Sequence, residues 1–180
     1  MFKKMNQFSK TGIKLLSYLV KNPSKEMYQR EIAEETGISI GAVNQYLREF
    51  QGMNIISRKR KGKMLFYSLN LDNPIVRQFK IFLTIVELSP LTERIKKDSG
   101  RIILFGSCSE GTDVEESDID LFILTETGNK KKVREGLSKS TLDRKLSPII
   151  VNSNEFVKLK REDKPLYERI MKGIELWRRG

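Results

Sequence analysis

The chain has 180 residues and 38% hydrophobic content, enough for one modest core or two small ones, and no stretch approaches the roughly 20 apolar residues that span a bilayer. Its formal net charge of +11 is uneven: residues 1–100 carry 18 Lys and Arg against 9 Asp and Glu, residues 101–180 carry 16 against 14. A lone cysteine, Cys108, excludes an internal disulfide, and the absence of histidine excludes the usual Cys/His zinc site.

The basic leading half attracts polyanions, for which phosphate neutralisation supplies much of the affinity. An anionic membrane is the alternative partner. No strongly apolar amphipathic helix supports it, so no membrane association is expected. Met1–Gln7 is not followed by an apolar signal region, and a reducing cytoplasm is the expected location.

In chain order, Ser9 to Lys21 reads as a first helix, with Ile13, Leu15, Leu16, Leu19 and Val20 as its apolar stripe. Asn22-Pro23-Ser24 breaks it. A second helix covers Gln29 to Thr36, with Ile32 and Ala33 inward and Gly37 suited to the left-handed turn that closes it. Ser39 caps a third helix to about Gly52, with Ala42, Val43, Leu47 and Phe50 facing the core. Ile55 to Arg60 alternates, Lys61-Gly62 turns, and Met64 to Leu69 returns, forming a hairpin with a basic tip.

This order of helices, glycine turn and basic hairpin resembles the winged helix-turn-helix family. The resemblance is carried by residues 28–39 with Val43 and Leu47, and covers roughly residues 9–70. It implies that the third helix enters the major groove while the hairpin touches the flanking backbone or minor groove of duplex DNA. Ser39, Asn44, Gln45 and Arg48 are the polar residues of that helix; Asn and Gln suit adenine edges, and Arg suits guanine. Arg58, Lys59, Arg60, Lys61 and Lys63 on the wing would hold phosphates and fix register. Tyr46 either contacts a phosphate or packs. A solvated third helix serving only dimerisation is the competing role, against which five basic residues in one hairpin argue.

Asn73-Pro74 starts a long helix, about Ile75 to Leu88, which Pro90 interrupts; Leu91 to Lys97 adds a turn or two. Asp98-Ser99-Gly100 is the break before a second domain. Arg101 to Phe105 reads as a strand, Gly106 to Ser117 as a polar loop and Ile119 to Leu124 as a second strand. Asn129 to Ser140 reads as a helix carrying Lys130-Lys131-Lys132, taken as a solvated face, and Leu146 to Val151 as a third strand. Ser153 or Asn154 caps a further helix, and Leu166 to Trp177 forms a terminal amphipathic one. Trp177 and Tyr167 are expected in the core or at an interface.

Leu104-Phe105-Gly106-Ser107, ten residues, then Asp118-Ile119-Asp120 resembles the polymerase-β-like nucleotidyltransferase superfamily, over roughly residues 80–180. Gly106 lets the backbone approach a nucleoside triphosphate, and Ser107 can donate to it. Asp118 and Asp120, one residue apart on a strand, share a face and would hold Mg²⁺. Like charges so placed repel unless a cation lies between them, which argues against a merely structural role. The family's third carboxylate is missing: Ser147 occupies the expected position, and Asp143 substitutes only in another register. The loop after Gly-Ser also lacks the usual basic residue, while Glu110, Asp113, Glu115 and Glu116 add negative charge. Cys108 has no histidine base and is not read as a nucleophile.

The expected fold is α+β: a winged helix-turn-helix over residues 1–72, linker helices over 73–98, and a small mixed-sheet nucleotidyltransferase-like α/β domain over 99–180. Two functions follow from the resemblances. One is a DNA-binding transcriptional regulator whose second domain is a sensor, a dimerisation unit or a degenerate enzyme. The other is an active Mg²⁺-dependent nucleotidyltransferase acting on a protein or small-molecule hydroxyl, as an antitoxin with a toxin partner would. An interaction module with neither activity is a third. A homodimer matches the two-fold operators such regulators bind.

Overall fold

A computed structural model of the chain describes residues 8–180; the segment Met1–Gln7, read above for a signal sequence, lies outside the described residues. The chain divides into two compact units, the first ending at Gln78 and the second starting at Phe79.

In the first unit, α1 (Lys10–Lys21) is capped by Ser9, whose Oγ accepts from the Gly12 amide, and it buries Leu15, Leu16, Leu19 and Val20. Ile13 lies at the margin of that stripe in the first turn and is 41% exposed, outside the expected core. A two-residue strand, β1 (Met27–Tyr28), precedes α2 (Gln29–Thr36). Gly37 closes α2 at φ 64°, the left-handed conformation that favours glycine. Ser39 then caps α3 (Ile40–Gly52) through the Ala42 amide. Val43, Leu47 and Phe50 are buried, and Ala42 is only half-buried.

Strands β2 (Ile56–Lys61) and β3 (Met64–Leu69) form the hairpin, and the three-stranded sheet runs β1-β3-β2. Lys61 pairs with Met64, so the turn is Gly62-Lys63 and not the expected Lys61-Gly62. Gly62 takes φ 61° at the first turn position, where a two-residue hairpin demands a positive angle. β1 escapes a periodicity reading because two residues are too short to alternate.

Helix α4 (Pro74–Ile95) runs through the division between the units. Asn73 accepts from the Ile75 amide at 2.8 Å and starts it. Contrary to expectation, Pro90 does not interrupt it. The carbonyl that proline leaves unbonded belongs to Val86, and both residues are exposed, on the side of the helix where solvent can reach such a group. Leu88, Leu91 and Ile95 stay buried on the opposite side and hold the last turns in place.

The second unit contains β4 (Arg101–Phe105), α5 (Ser107–Glu110), β5 (Ile119–Leu124), α6 (Lys130–Ser138), β6 (Leu146–Val151), α7 (Ser153–Glu162), α8 (Lys164–Met171) and β7 (Ile174–Arg178). Its sheet runs β6-β5-β4-β7, with β5 and β6 parallel and the other pairs antiparallel. Helices cover both faces. Ile102, Leu104, Leu121 and Ile123 pack with Leu88, Leu91 and Ile95 of α4 and Val133 and Leu137 of α6. Ile103, Phe105 and Phe122 pack with Ile170 of α8 and Phe156 and Leu159 of α7. A sheet covered on both sides needs unbroken apolar strands, as Ile102-Ile103-Leu104-Phe105 supplies. Each such side chain contributes about 1.5–3 kcal/mol by leaving water.

Three expectations are corrected in this unit. The loop after Gly106 contains the single-turn helix α5. Asn152, not Ser153 or Asn154, caps α7, in a reciprocal box with Glu155. The terminal helix stops at Met171, and Ile174–Arg178 pairs with β4 as a fourth strand. Gly173 makes that possible: a β-carbon there would collide with the Leu104 carbonyl and come within 2.7 Å of Ile103 Cγ2. Among the described residues no helix is long and apolar enough to cross a membrane.

Candidate functional site

The burial of Val43, Leu47 and Phe50 fixes how α3 is turned. Gly41, Gln45 and Arg48 follow one another at helical spacing on the opposite side, and all three are exposed. Asn44 is half-buried at the flank, and Ser39 is exposed at the cap. Gln45 Nε2 donates to Glu49 Oε1 at 3.0 Å, while Ser39 is engaged in capping. Tyr46 packs: its hydroxyl is 2.6 Å from Ser9 Oγ and its ring leans on Phe50.

All five wing cations are exposed. Strand alternation puts Arg58 and Arg60 on one face of the hairpin and Lys59 and Lys61 on the other. Lys61 is engaged, paired with Glu26 and lying over the Phe66 ring. Contact with Lys61 holds the Glu26 carboxyl below its usual range. Arg60 Nε donates to the Gly62 carbonyl at 3.2 Å. Arg58, Lys59 and Lys63 remain directed to solvent.

In the second unit β4 delivers Gly106 beside Asp120, because Phe105 and Asp120 are register partners. Gly106 adopts φ 70°, ψ −158°, a region essentially reserved for glycine. A β-carbon there would run into the Asp120 carboxylate. The glycine and this aspartate are therefore one steric unit. Ser107 follows at the start of α5, and among the described residues Asp120 has no ion-pair partner.

β5 begins at Ile119, as read from the sequence, so Asp118 stands one residue ahead of the strand and Asp120 within it. The parallel register Ile119↔Leu146, extended one step back, sets Asp118 beside Lys145. Lys145 Nζ is 3.0 Å from Asp118 Oδ2, and the Ile119 amide donates to the Lys145 carbonyl at 2.8 Å. Ser147 is the register partner of Asp120, so a hydroxyl stands where the third carboxylate was sought. Asp143 is exposed ahead of β6. Among the described residues, no three Asp, Glu, Cys or His side chains group as a metal centre.

A buried polar clamp holds the loop between α5 and β5. Asp113, expected as bare negative charge, is buried between Lys80 Nζ at 3.2 Å and Arg144 Nη1 at 3.1 Å. Lys80, 4% exposed, also donates to the Asp113 carbonyl. Arg144 donates to the Ser117 carbonyl and, at 2.8 Å, to Cys108 Sγ; Cys108 in turn reaches the Asp118 carbonyl at 3.5 Å. Burial pushes the Cys108 thiol above its ordinary range, partly offset by Arg144. Lys80 and Arg144 belong to no motif, yet Lys80 had a signal. It shares the helix face of Val76, Thr84, Leu88, Leu91 and Ile95, all buried, and a lysine on an apolar face needs a partner.

In the remaining basic run Lys130 pairs with Glu155, while Lys131 and Lys132 are exposed as a solvated face, Lys132 lying 3.9 Å from Asp98. Trp177 packs, half-buried, against the core, and the half-buried Tyr167 leans on Phe156.

Residues 8–57 match the family described as winged helix-turn-helix DNA-binding, and residues 92–180 match the family described as polymerase beta, nucleotidyltransferase. No curated protein matches the chain. Among solved structures it resembles NolR from Sinorhizobium fredii at 24% identity, over 51% of this chain and 77% of that one, with a TM-score of 0.35, too low to carry weight. The molecule is therefore a fusion of a winged helix-turn-helix DNA-binding domain with a domain of the polymerase beta nucleotidyltransferase family.

Proposed function

We propose that this protein is a transcriptional regulator that reads duplex DNA with α3 and binds a nucleoside triphosphate in its second domain. The observation that carries the first part is the exposed ridge of Gln45 and Arg48, set opposite the Val43–Leu47–Phe50 core and followed in the chain by a solvent-directed basic wing. Gln45 and Arg48 offer the donors that pair with adenine and guanine edges. Arg58, Lys59 and Lys63 contribute phosphate contacts that position without specifying. A homodimer on two half-sites suits this mode of reading.

The test is selection of a binding sequence from a random duplex pool, then measurement of base discrimination with Gln45→Ala and Arg48→Ala. Each variant is expected to lose about 1–3 kcal/mol of discrimination at one base pair. Failure to enrich any sequence, or unchanged discrimination in both variants, would refute base reading by α3.

The second part rests on the steric fit of Gly106 against Asp120. Mg²⁺ commonly takes one or two carboxylates together with substrate phosphates and keeps several waters. Asp118 and Asp120, with Ser147 in place of a third carboxylate, suit one ion arriving with a triphosphate better than a two-ion centre. That ion, when bound, supplies charge neutralisation and Lewis acidity at the phosphates. Ser107 donates to the phosphates and Gly106 lets the backbone approach. Without a third carboxylate to take the acceptor's proton, the site favours sensing a nucleotide over transferring it. Equilibrium binding of a fluorescent ATP analogue with Mg²⁺, lost in Asp120→Asn, is the expected result; equal binding by that variant would argue against the site.

A further inference from the structure

A triphosphate entering this site meets a shortage of positive charge. No lysine or arginine occurs between Ser107 and Asn129, while Glu110, Asp113, Glu115, Glu116, Asp118 and Asp120 all lie there. Two cations approach that segment from elsewhere in the fold, but both are committed. Lys80 is buried on Asp113, and Arg144 is divided among Asp113, the Ser117 carbonyl and Cys108. Lys145 differs. Its backbone is fixed beside Asp118 by the Ile119 amide, yet its side chain is 78% exposed and makes one ion pair, to Asp118 Oδ2. An ammonium on a flexible four-carbon stem is a mobile point charge, able to exchange one oxyanion for another.

We propose that Lys145 is the phosphate-binding cation of the nucleotide site, holding Asp118 in the free protein and turning to the phosphates when a triphosphate binds. It replaces the basic residue absent from the loop after Gly106-Ser107. The proposal rests on the nucleotide-binding reading above. It adds a residue that the strand motif does not name and a consequence that reading lacks: the ammonium competes with any cation for Asp118.

Two probes separate this from a surface ion pair without function: Mn²⁺ alone, followed by its paramagnetic resonance signal, and a fluorescent ATP analogue without metal. The full chain is compared with Lys145→Met and Lys145→Arg. Lys145→Met is expected to bind Mn²⁺ up to about fivefold more tightly, the upper range for releasing an exposed pair. It is expected to bind the ATP analogue about tenfold more weakly, as loss of a charged hydrogen bond entails. Lys145→Arg should keep nucleotide binding near the parent's. Shifts of opposite sign cannot come from a general loss of structure. If Lys145→Met matches the parent in both measurements, or weakens both, Lys145 has no such role while the nucleotide site stands. A parent that binds the analogue neither with Mg²⁺ nor without it would overturn both.

Discussion

Gly106 and Cys108 sit two residues apart and bear on different members of the aspartate pair, Gly106 on the Asp120 carboxylate and Cys108 on the Asp118 carbonyl. At φ 70°, ψ −158°, Gly106 occupies backbone space that a β-carbon closes, and the Asp120 carboxylate fills the place that carbon would take. Gly106→Ala should therefore cost about 1–3 kcal/mol of backbone strain. A lowered urea midpoint, with loss of ATP-analogue binding in excess of the loss in stability, is the expected readout. Cys108 is 1% exposed and its thiol is pushed up by burial. A raised thiol stays protonated through neutral pH, and the thiolate is the reactive form. Ellman's reagent at pH 8 should label the native chain slowly and the urea-unfolded chain at once; rapid native labelling would mean that the contacts from Arg144 and to the Asp118 carbonyl open readily.

Helix α4 shows why an element is harder to read than a residue. Pro90 is a correct local signal of interruption, overridden because Leu88, Leu91 and Ile95 anchor the helix on both sides of it. A proline inside a helix still costs about 3 kcal/mol relative to alanine, partly offset by its stiffening of the unfolded chain. Pro90→Ala should thus stabilise the protein by about 2 kcal/mol, seen as a higher unfolding temperature; a lower one would mean that the proline bend itself serves the packing of α4. The strands β2 through β6 and helices α1 to α3 were legible because stripes, caps and glycine turns agree locally. β7 was not: Glu175 and Arg178 interrupt its apolar residues in a way that also fits a helix, and only the Leu104 backbone pressed against Gly173 decides. The places of Gly106 after β4 and of Asp120 at the start of β5 were legible from spacing. Lys145 and Arg144 were not, because their roles depend on the parallel pairing of β5 with β6, which brings residues 27 apart side by side.

Across the molecule, net charge describes the surface less well than the number of uncommitted cations. The wing has five basic residues, but Lys61 is neutralised by Glu26 and stacked on Phe66. Salt dependence of DNA binding counts phosphates actually neutralised, with log affinity falling by about 0.9 per contact for each decade of salt. Lys59→Ala and Lys63→Ala should each lower that slope by about 0.9. Lys61→Ala should leave the slope unchanged, although it exposes a carboxylate and weakens binding at every salt concentration. Glu26→Gln should do the reverse, freeing Lys61 and raising the slope by up to one contact. The measurement is a set of binding titrations across a decade of salt on one duplex. If Lys61→Ala reduces the slope as much as Lys59→Ala, the Glu26 pair dissolves on DNA and the wing acts through its total charge; if neither changes it, phosphate contact lies outside the wing.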